Sequence, residues 1–361
     1  MAEPTDAPTV AATIGHGQFG ATGSMVVARS GQTATLLLDG RVLISGGSSD
    51  NMAELYDPQT GAFSPTGSMN AVRLRLHTAT LLQDGRVLIV GGLDDTLDQN
   101  ALASAELYDP TTGKFVPTAS MAHARSGHTA TLLADGRVLV VGGSGDQDSP
   151  ATAEAYDPKT GQFSSAGSLA RARSGQTATL LPGGRVLLVG GIGTGSVSDA
   201  TSTSAELYDP KTGRFTATGS MATRRWSGHS ATLLADGRVF VLGGNTSSIQ
   251  EVPTASVELY DPGTGKFGAM SSMASARDTQ TATLLADGRV LVAGGASGAA
   301  ELFDPRTAMF SVTGYPIVTP GGQLAGGQTA TLLADGRVLI VGGWDGASIQ
   351  TSSSSAQLYQ P

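Results

Sequence analysis

Short apolar and polar blocks alternate along the whole chain, and residues 129–141 show the pattern clearly. Residues 129–133 are Thr-Ala-Thr-Leu-Leu and residues 137–141 are Arg-Val-Leu-Val-Val, with Asp135-Gly136 between them. Asp-Gly between two apolar runs is a strong β-hairpin signal, because a type I′ turn needs residues that tolerate positive φ. We therefore predict two antiparallel strands, a and b, joined by a two-residue turn. Strand b has no polar alternation, which indicates burial on both faces.

A second pair of strands follows each hairpin. Gly142-Gly143 ends strand b, a variable segment follows, and residues 153–157 then predict strand c. Pro158 comes just after strand c, where no ladder hydrogen bond is lost. A Thr-Gly turn leads into a short strand d that carries Phe163. This unit occurs seven times, and a double glycine ends strand b in all seven.

The repeat resembles a known structural unit. An aromatic residue of strand c and a Phe of strand d stand seven residues apart in six units, as do Tyr156 and Phe163. With its double glycine and spaced aromatics, the chain resembles the kelch repeat and the propeller domain of the galactose oxidase family, over about residues 14–361. We expect an all-β, seven-bladed propeller with four antiparallel strands per blade. The resemblance does not specify a function, because this fold supports many.

The ends of the chain predict how the ring closes. The seventh unit stops at strand c, and residues 16–25 match the strand-d segment at residues 161–169. We predict that this N-terminal strand completes the last blade. Residues 1–13 are then expected to be a flexible tail, and residues 14–361 a single propeller domain.

Composition excludes several functions. The net charge of −8 argues against nucleic-acid binding, and no apolar run approaches the roughly 18 residues of a membrane span. The chain has no Cys, so disulfides and thiolate metal sites are excluded. The copper-radical chemistry of the galactose oxidase family needs a Cys cross-linked to a Tyr and cannot be carried over. We expect a monomer without a cofactor, and a secreted or periplasmic bacterial protein in preference to a cytoplasmic one.

The repeat sorts side chains onto two faces. The a–b and c–d turns share one face, called the bottom, and the b–c and d–a connections share the other, called the top. Residues that depart from the repeat concentrate on the top, so we expect the ligand there. Four units have an Arg three residues before the polar position at strand a, for which a framework role is the favoured interpretation, either pairing with the strand-c Glu or capping strand ends. Further Arg residues of the top face would suit carboxylates, namely Arg75, Arg171 and Arg224.

One polar position precedes strand a in every unit. We expect its side chains to surround the top mouth of the central channel: Gln32, His77, His128, Gln176, His229, Gln280 and Gln328. Three His could hold a metal, but Gln in four units favours hydrogen bonds to neighbouring backbone. The acid-rich residues 94–100 could bind Ca²⁺ through oxygen ligands. They lack EF-hand spacing, so solvated charge is the favoured interpretation.

Three aromatic residues break the repeat on the predicted top face, and Trp offers a flat stacking surface for a sugar or peptide. Because units 5 to 7 are contiguous, one pocket could be bordered by Trp226, Asp278, Tyr315 and Trp344. The alternative for Trp226 is packing between blades. The predicted ligand-binding set is Trp226, Trp344, Asp345, Arg224, Arg225, Asp278, Tyr315, Arg75, His77 and His128.

The sequence predicts a non-catalytic recognition scaffold that binds a protein or glycan on the top face. No nucleophile–base pair or phosphate-binding loop stands out. The alternative is an enzyme of the lyase, mutarotase or epimerase type that acts on an acidic sugar or small metabolite. Arg would then bind a carboxylate while His or Tyr moves a proton, with the candidates Arg225, His229, Arg277 and Tyr315.

Overall fold

The computed structural model describes residues 17–145, 151–193, 202–247, 249–295, 299–316, 326–344 and 351–361. Within these ranges the chain forms seven four-stranded antiparallel sheets, and strands a to d are neighbours in each sheet. Each strand a contacts strand a of the next blade, and the last contacts the first. The predicted seven-bladed β-propeller is therefore confirmed. The predicted tail, residues 1–13, lies outside the described residues.

The strands are short, and their bounds repeat closely from blade to blade. Strand a spans Thr33–Leu36, Thr78–Leu81, Thr129–Leu132, Thr177–Leu180, Ser227–Leu233, Thr281–Leu284 and Gln328–Leu332. Strand b spans Val42–Ser45, Val87–Val90, Val138–Val141, Val186–Val189, Val239–Asn245, Val290–Ala293 and Val338–Gly342. Strand c spans Met52–Asp57, Ala105–Asp109, Thr152–Asp157, Ala205–Asp209, Val257–Asp261, Glu301–Asp304 and Ala356–Gln360.

The outer strand d of blades 1 to 6 spans Ala62–Ser68, Lys114–Pro117, Gln162–Ser168, Arg214–Ala217, Lys266–Ala269 and Met309–Val312. An additional two-stranded ribbon pairs Arg173–Ser174 with Ile192–Gly193. Within the described residues, we find no helix with the length and apolarity needed to cross a membrane.

The N-terminal strand closes the ring, as predicted. Gln18–Ala21 pairs antiparallel with Ala356–Gln360 and supplies strand d of blade 7. Phe19 lies opposite Tyr359, and the centres of their rings are 4.9 Å apart. The first and last strands of the chain therefore join the ring through hydrogen bonds and ring packing.

The a–b turn differs from the prediction. Gly40 donates its N–H to Leu37 O at 3.0 Å and has a φ of 86°, whereas Asp39 is not among the residues with positive φ. A type I′ turn needs positive φ at both central residues, so the two-residue turn was the wrong prediction. The loop is a type I turn followed by a left-handed glycine, which is the usual three-residue hairpin connection.

The core lies between blades. All residues of strand b in blades 1 to 4 are buried, as their apolar run predicted. Each apolar cluster combines two consecutive blades, as when Val42 and Ile44 of blade 1 pack with Leu339 and Val341 of blade 7. A blade therefore buries its two faces only when both neighbours are present.

The double glycine makes this close packing possible. A Cβ at Gly190 would lie 2.8 Å from the carbonyl oxygen of Arg225 in the next blade, and a Cβ at Gly191 would lie 3.0 Å from Cβ of Gln176 in its own blade. Both glycines have positive φ, 66° and 93°. The first glycine therefore admits the next blade, and the second admits the polar residue that precedes strand a.

Candidate functional site

A buried ion pair braces each of the first six blades. Arg225 lies 3.3 Å from the carboxylate of Glu258, and neither side chain is more than 4% exposed. The same Arg donates to Gly243 O, at the double glycine of its own blade. Burial lowers the pKa of Arg225, and the Glu258 charge opposes that shift. The six pairs are Arg29–Glu54, Arg73–Glu106, Arg125–Glu154, Arg173–Glu206, Arg225–Glu258 and Arg277–Glu301.

Each pair also fixes the d–a connection. Glu258 accepts hydrogen bonds from the backbone N–H groups of Ala222 at 2.7 Å and Thr223 at 3.1 Å. The carboxylate thus joins the incoming chain to strand c, while the guanidinium joins it to the end of strand b. Pairing between the inner Arg and the strand-c Glu is therefore confirmed. The pair is part of the propeller framework.

This finding corrects the placement of two predicted site residues. Arg225 was predicted to bind a ligand, and both Arg225 and Arg277 were candidates of the alternative enzyme, but they are 0% and 1% exposed and their guanidinium groups are held within the framework. One extra residue separates Arg73 and Arg225 from the polar position before strand a, compared with blades 1, 3, 4 and 6. The insertion shifts Arg73 and Arg225 out of the regular spacing, so the repeat pattern did not identify them as members of the framework.

Blade 7 lacks both members of the pair. The sequence has no Arg between strand d of blade 6 and strand a of blade 7, and Gln357 stands where the other blades have Glu. Gln357 is buried, with 4% exposure. A buried carboxylate without its partner would be strongly destabilising, so the two changes belong together. This substitution was visible in the sequence and would have indicated the pairing.

The polar position before strand a lies in the seams between blades. Gln176 Nε2 donates to Val141 O at 2.8 Å, and His229 Nε2 lies 3.1 Å from Val189 O, each in the preceding blade. All seven side chains are 4–7% exposed. The preference for backbone hydrogen bonds over metal binding is consistent with this geometry. The described residues contain no group of three His, Asp or Glu that could hold a metal.

Burial keeps the three histidines of this position neutral. It lowers the pKa of His77 to about 4, of His128 to about 3 and of His229 to about 4, and the nearby Arg of the same blade adds to each shift. His77 and His128 were predicted as ligand-binding residues, and His229 as a catalytic one. In this structure all three connect blades, and their rings are not open to solvent.

The mouth of the channel is formed by the residue just before this position. In all seven blades that residue has positive φ, and only two of the seven are not glycine. Gly31 donates to Gly327 O at 2.9 Å and Thr279 to Gly228 O at 2.8 Å, so the circle is linked across blades. Leu76 and Thr279 adopt a backbone that such side chains rarely adopt. The sequence analysis missed this circle, although glycine recurs there in five units.

Part of the predicted sector of blades 5 to 7 does assemble at this mouth. A Cβ at Gly326 would meet Thr279 Oγ1 and, at 3.2 Å, the ring of Trp344, so Trp344 lies close to Thr279. Asp278 is half-buried, and burial raises its pKa, with the charge of Glu251 adding to the rise. Asp278, Thr279 and Trp344 are therefore neighbours at or near the channel mouth.

The other predicted residues lie apart from this group. Trp226 is only 4% exposed, which corrects its prediction as an open stacking surface and agrees with the alternative of packing. Tyr315 is 72% exposed and follows Gly314, which abuts Phe19 in the outer strand of blade 7. Arg75 and Arg224 are exposed on the top face. Asp345 lies outside the described residues.

The fold and its repeat define a seven-bladed β-propeller built from kelch-type units. A family model described as the kelch motif matches residues 74–122 and 124–170. No curated protein sequence matches the chain.

Two solved structures share the architecture. One is a fungal alcohol oxidase of the AA5 family in complex with copper, 21% identical, with a TM-score of 0.76, covering 96% of this chain and 77% of that one. The other is YjhT, 14% identical, with a TM-score of 0.62, covering 80% of this chain and 98% of that one. At these identities the likeness concerns the fold alone.

Proposed function

We propose that this chain is a recognition scaffold that binds a protein or glycan partner through its top face. The supporting observation is the distribution of exposed large apolar side chains over the surface. Seven of the eleven such residues among the described residues lie on top-face connections: Val26, Leu76, Leu97, Ile192, Ile249, Val252 and Tyr315. The bottom turns carry one, Leu38, and the outer strands carry three. Exposed apolar side chains among polar loops are typical of interaction surfaces.

The framework roles of the inner polar residues support binding over catalysis. Arg225 and Arg277 each pair with a strand-c Glu, and His229 contacts a backbone carbonyl in a neighbouring blade. Of the four catalytic candidates, only Tyr315 is exposed. No observation on the described residues therefore favours the acidic-sugar enzyme as a second function.

A two-stage experiment tests this proposal. The purified chain is screened against a glycan panel and a displayed peptide library, and each hit is re-measured with two triple variants. The top variant carries Leu97→Ser, Ile249→Ser and Val252→Ser. The control carries Leu38→Ser, Val116→Ser and Met309→Ser, which are exposed to a similar degree elsewhere.

We expect the top variant to weaken binding roughly tenfold or more, because a few central side chains dominate most interfaces. The control should stay within about twofold, since losses of surface area outside an interface have little effect on affinity. Hits that lose affinity only with the control variant would move the binding surface away from the top face.

A further inference from the structure

Ion pairing leaves the two faces of the propeller with different charge. The six inner Arg residues of the top face are each neutralised by a buried Glu, as in Arg29–Glu54. They are therefore not available to a ligand, although the sequence shows them as a cationic ring. On the bottom face, Arg41 and Asp39 pair at 2.6 Å, and the same pair recurs in five other turns. The bottom turns hold thirteen basic and twelve acidic residues and are nearly balanced.

Among the described residues, the exposed charges of the top face are mostly negative. Three Arg side chains are exposed there among the described residues: Arg75, Arg171 and Arg224. Six acids occupy the same connections, all at least partly exposed: Asp50, Asp94, Asp95, Asp98, Glu251 and Asp278. Four more acids of these connections lie outside the described residues and carry none of the argument: Asp146, Asp148, Asp199 and Asp345.

Exposed carboxylates complement a ligand that carries positive charge. The polar position before strand a adds nothing to this surface, because its acceptor atoms without a hydrogen-bond partner occur in all seven blades and are buried.

We infer that the top-face partner is a basic protein segment, rich in Lys or Arg and carrying some apolar side chains. This rests on the proposed function and specifies the chemistry of the partner. A protein is favoured over an amino-sugar polymer because six of the seven exposed apolar residues on the top-face connections are aliphatic, such as Leu97 and Ile249, and only Tyr315 is aromatic. Aliphatic anchors beside charges fit a protein interface, whereas sugar recognition depends more on open aromatic faces.

The test uses a ten-residue lysine peptide as the probe, with a ten-residue glutamate peptide as the opposite-charge control. Calorimetric titrations are run with the full chain at 20 and 300 mM NaCl. The top variant carries Asp95→Asn, Asp98→Asn, Glu251→Gln and Asp278→Asn. The control variant makes the same change in net charge on the bottom face: Asp109→Asn, Asp157→Asn, Asp209→Asn and Asp261→Asn. In Asp109 and Asp157, for example, one carboxylate oxygen accepts a backbone N–H that Asn can also accept.

We expect the lysine peptide to bind at 20 mM NaCl and to bind roughly tenfold more weakly at 300 mM, because salt screens exposed charges. The top variant should weaken binding at least fivefold, and the bottom variant less than twofold. Equal losses with both variants, or no binding of the lysine peptide by the unmodified chain, would overturn the inference. A glucosamine hexamer that binds more tightly than the peptide, with the same dependence on the top variant, would overturn the choice of a protein.

Failure of this inference can be separated from failure of the proposed function. Neutral or acidic hits that map to Leu97, Ile249 and Val252 would overturn only the basic character of the partner. Hits that map to the bottom face would overturn both.

Discussion

The guanidinium of Arg225 lies 3.3 Å from the carboxylate of Glu258, and both groups are buried where blade 5 begins. Arg224, the preceding residue, is exposed on the top face. Two adjacent arginines therefore have different surroundings, and sequence spacing alone does not show which one is structural. Substituting each arginine in turn and measuring the free energy of unfolding distinguishes the structural residue from the exposed one.

Replacing Arg225 with Met should destabilise the propeller by about 3–5 kcal/mol, because Glu258 would remain buried without its partner. Arg224→Met should change the free energy of unfolding by less than about 0.5 kcal/mol, as expected for an exposed side chain. Urea denaturation measures both. The double variant Arg225→Met, Glu258→Gln should recover part of the loss. Equal effects of the two single substitutions would contradict a structural role for the buried Arg225–Glu258 ion pair.

The three buried histidines predict a dependence of stability on pH. Their folded-state pKa values, from about 3 to about 4, lie below the usual 6.5, so the unfolded chain takes up protons first as the pH falls. Their contribution to stability is complete above pH 6.5 and declines as the pH drops toward 4. The slope should approach roughly 1.4 kcal/mol per histidine per pH unit.

A matched variant isolates this effect from the carboxylates. Gln occupies the same position in four blades, so His77→Gln, His128→Gln and His229→Gln should be tolerated. Denaturation midpoints measured from pH 7 to pH 4.5 should fall less for the triple variant than for the unmodified chain. Parallel curves would show that these histidines do not titrate on unfolding in this range.

Gly190→Ala should be strongly destabilising. The left-handed backbone adds about 1–2 kcal/mol for a residue with a Cβ, and overlap with the Arg225 carbonyl adds a further cost of about 1–3 kcal/mol. Gly183→Ala is the control, because a Cβ there meets nothing within 4 Å. Thermal melts of the two variants should separate clearly. A Gly190→Ala melt close to the control would mean that neighbouring blades can move apart locally.

Removing residues 1–21 should lower the melting temperature by on the order of 10 °C, because blade 7 would lose its outer strand and the packing of Phe19 on Tyr359. Removing only residues 1–13 should shift it by less than about 2 °C if that segment is a tail. Comparable losses from both truncations would place a structural role within residues 1–13.

The sequence predicted the propeller because its repeat encodes the fold locally. Each hairpin, double glycine and aromatic pair contributes the same contact in every blade, so seven weak signals support one another. The turn type was wrong because Asp-Gly also suits a type I turn with a left-handed glycine, and only the φ of Asp39 distinguishes the two.

The candidate site was harder to predict because its residues depend on contacts between blades. Arg225 looked like a ligand-binding residue, since the insertion before His229 shifts it out of the repeat register. Trp226 was predicted as a stacking surface because it interrupts the repeat beside polar residues, with packing between blades as the alternative, and it is 4% exposed. At the channel mouth, Asp278 was predicted as a site residue and its neighbour Thr279 was not, because a threonine in the sequence gives no indication of a positive φ.

The double glycine has a consequence for how the chain can change in evolution. Gly190 makes room for the carbonyl oxygen of Arg225 in the following blade. Which residues are tolerated at position 190 therefore depends on a segment about thirty-five residues further along the chain. Each double glycine is therefore matched to the blade that follows it, and a substitution in one blade is constrained by its neighbour. Blade 7, where Gln357 replaces the strand-c Glu, is the one blade whose inner connection is held without the buried Arg–Glu pair.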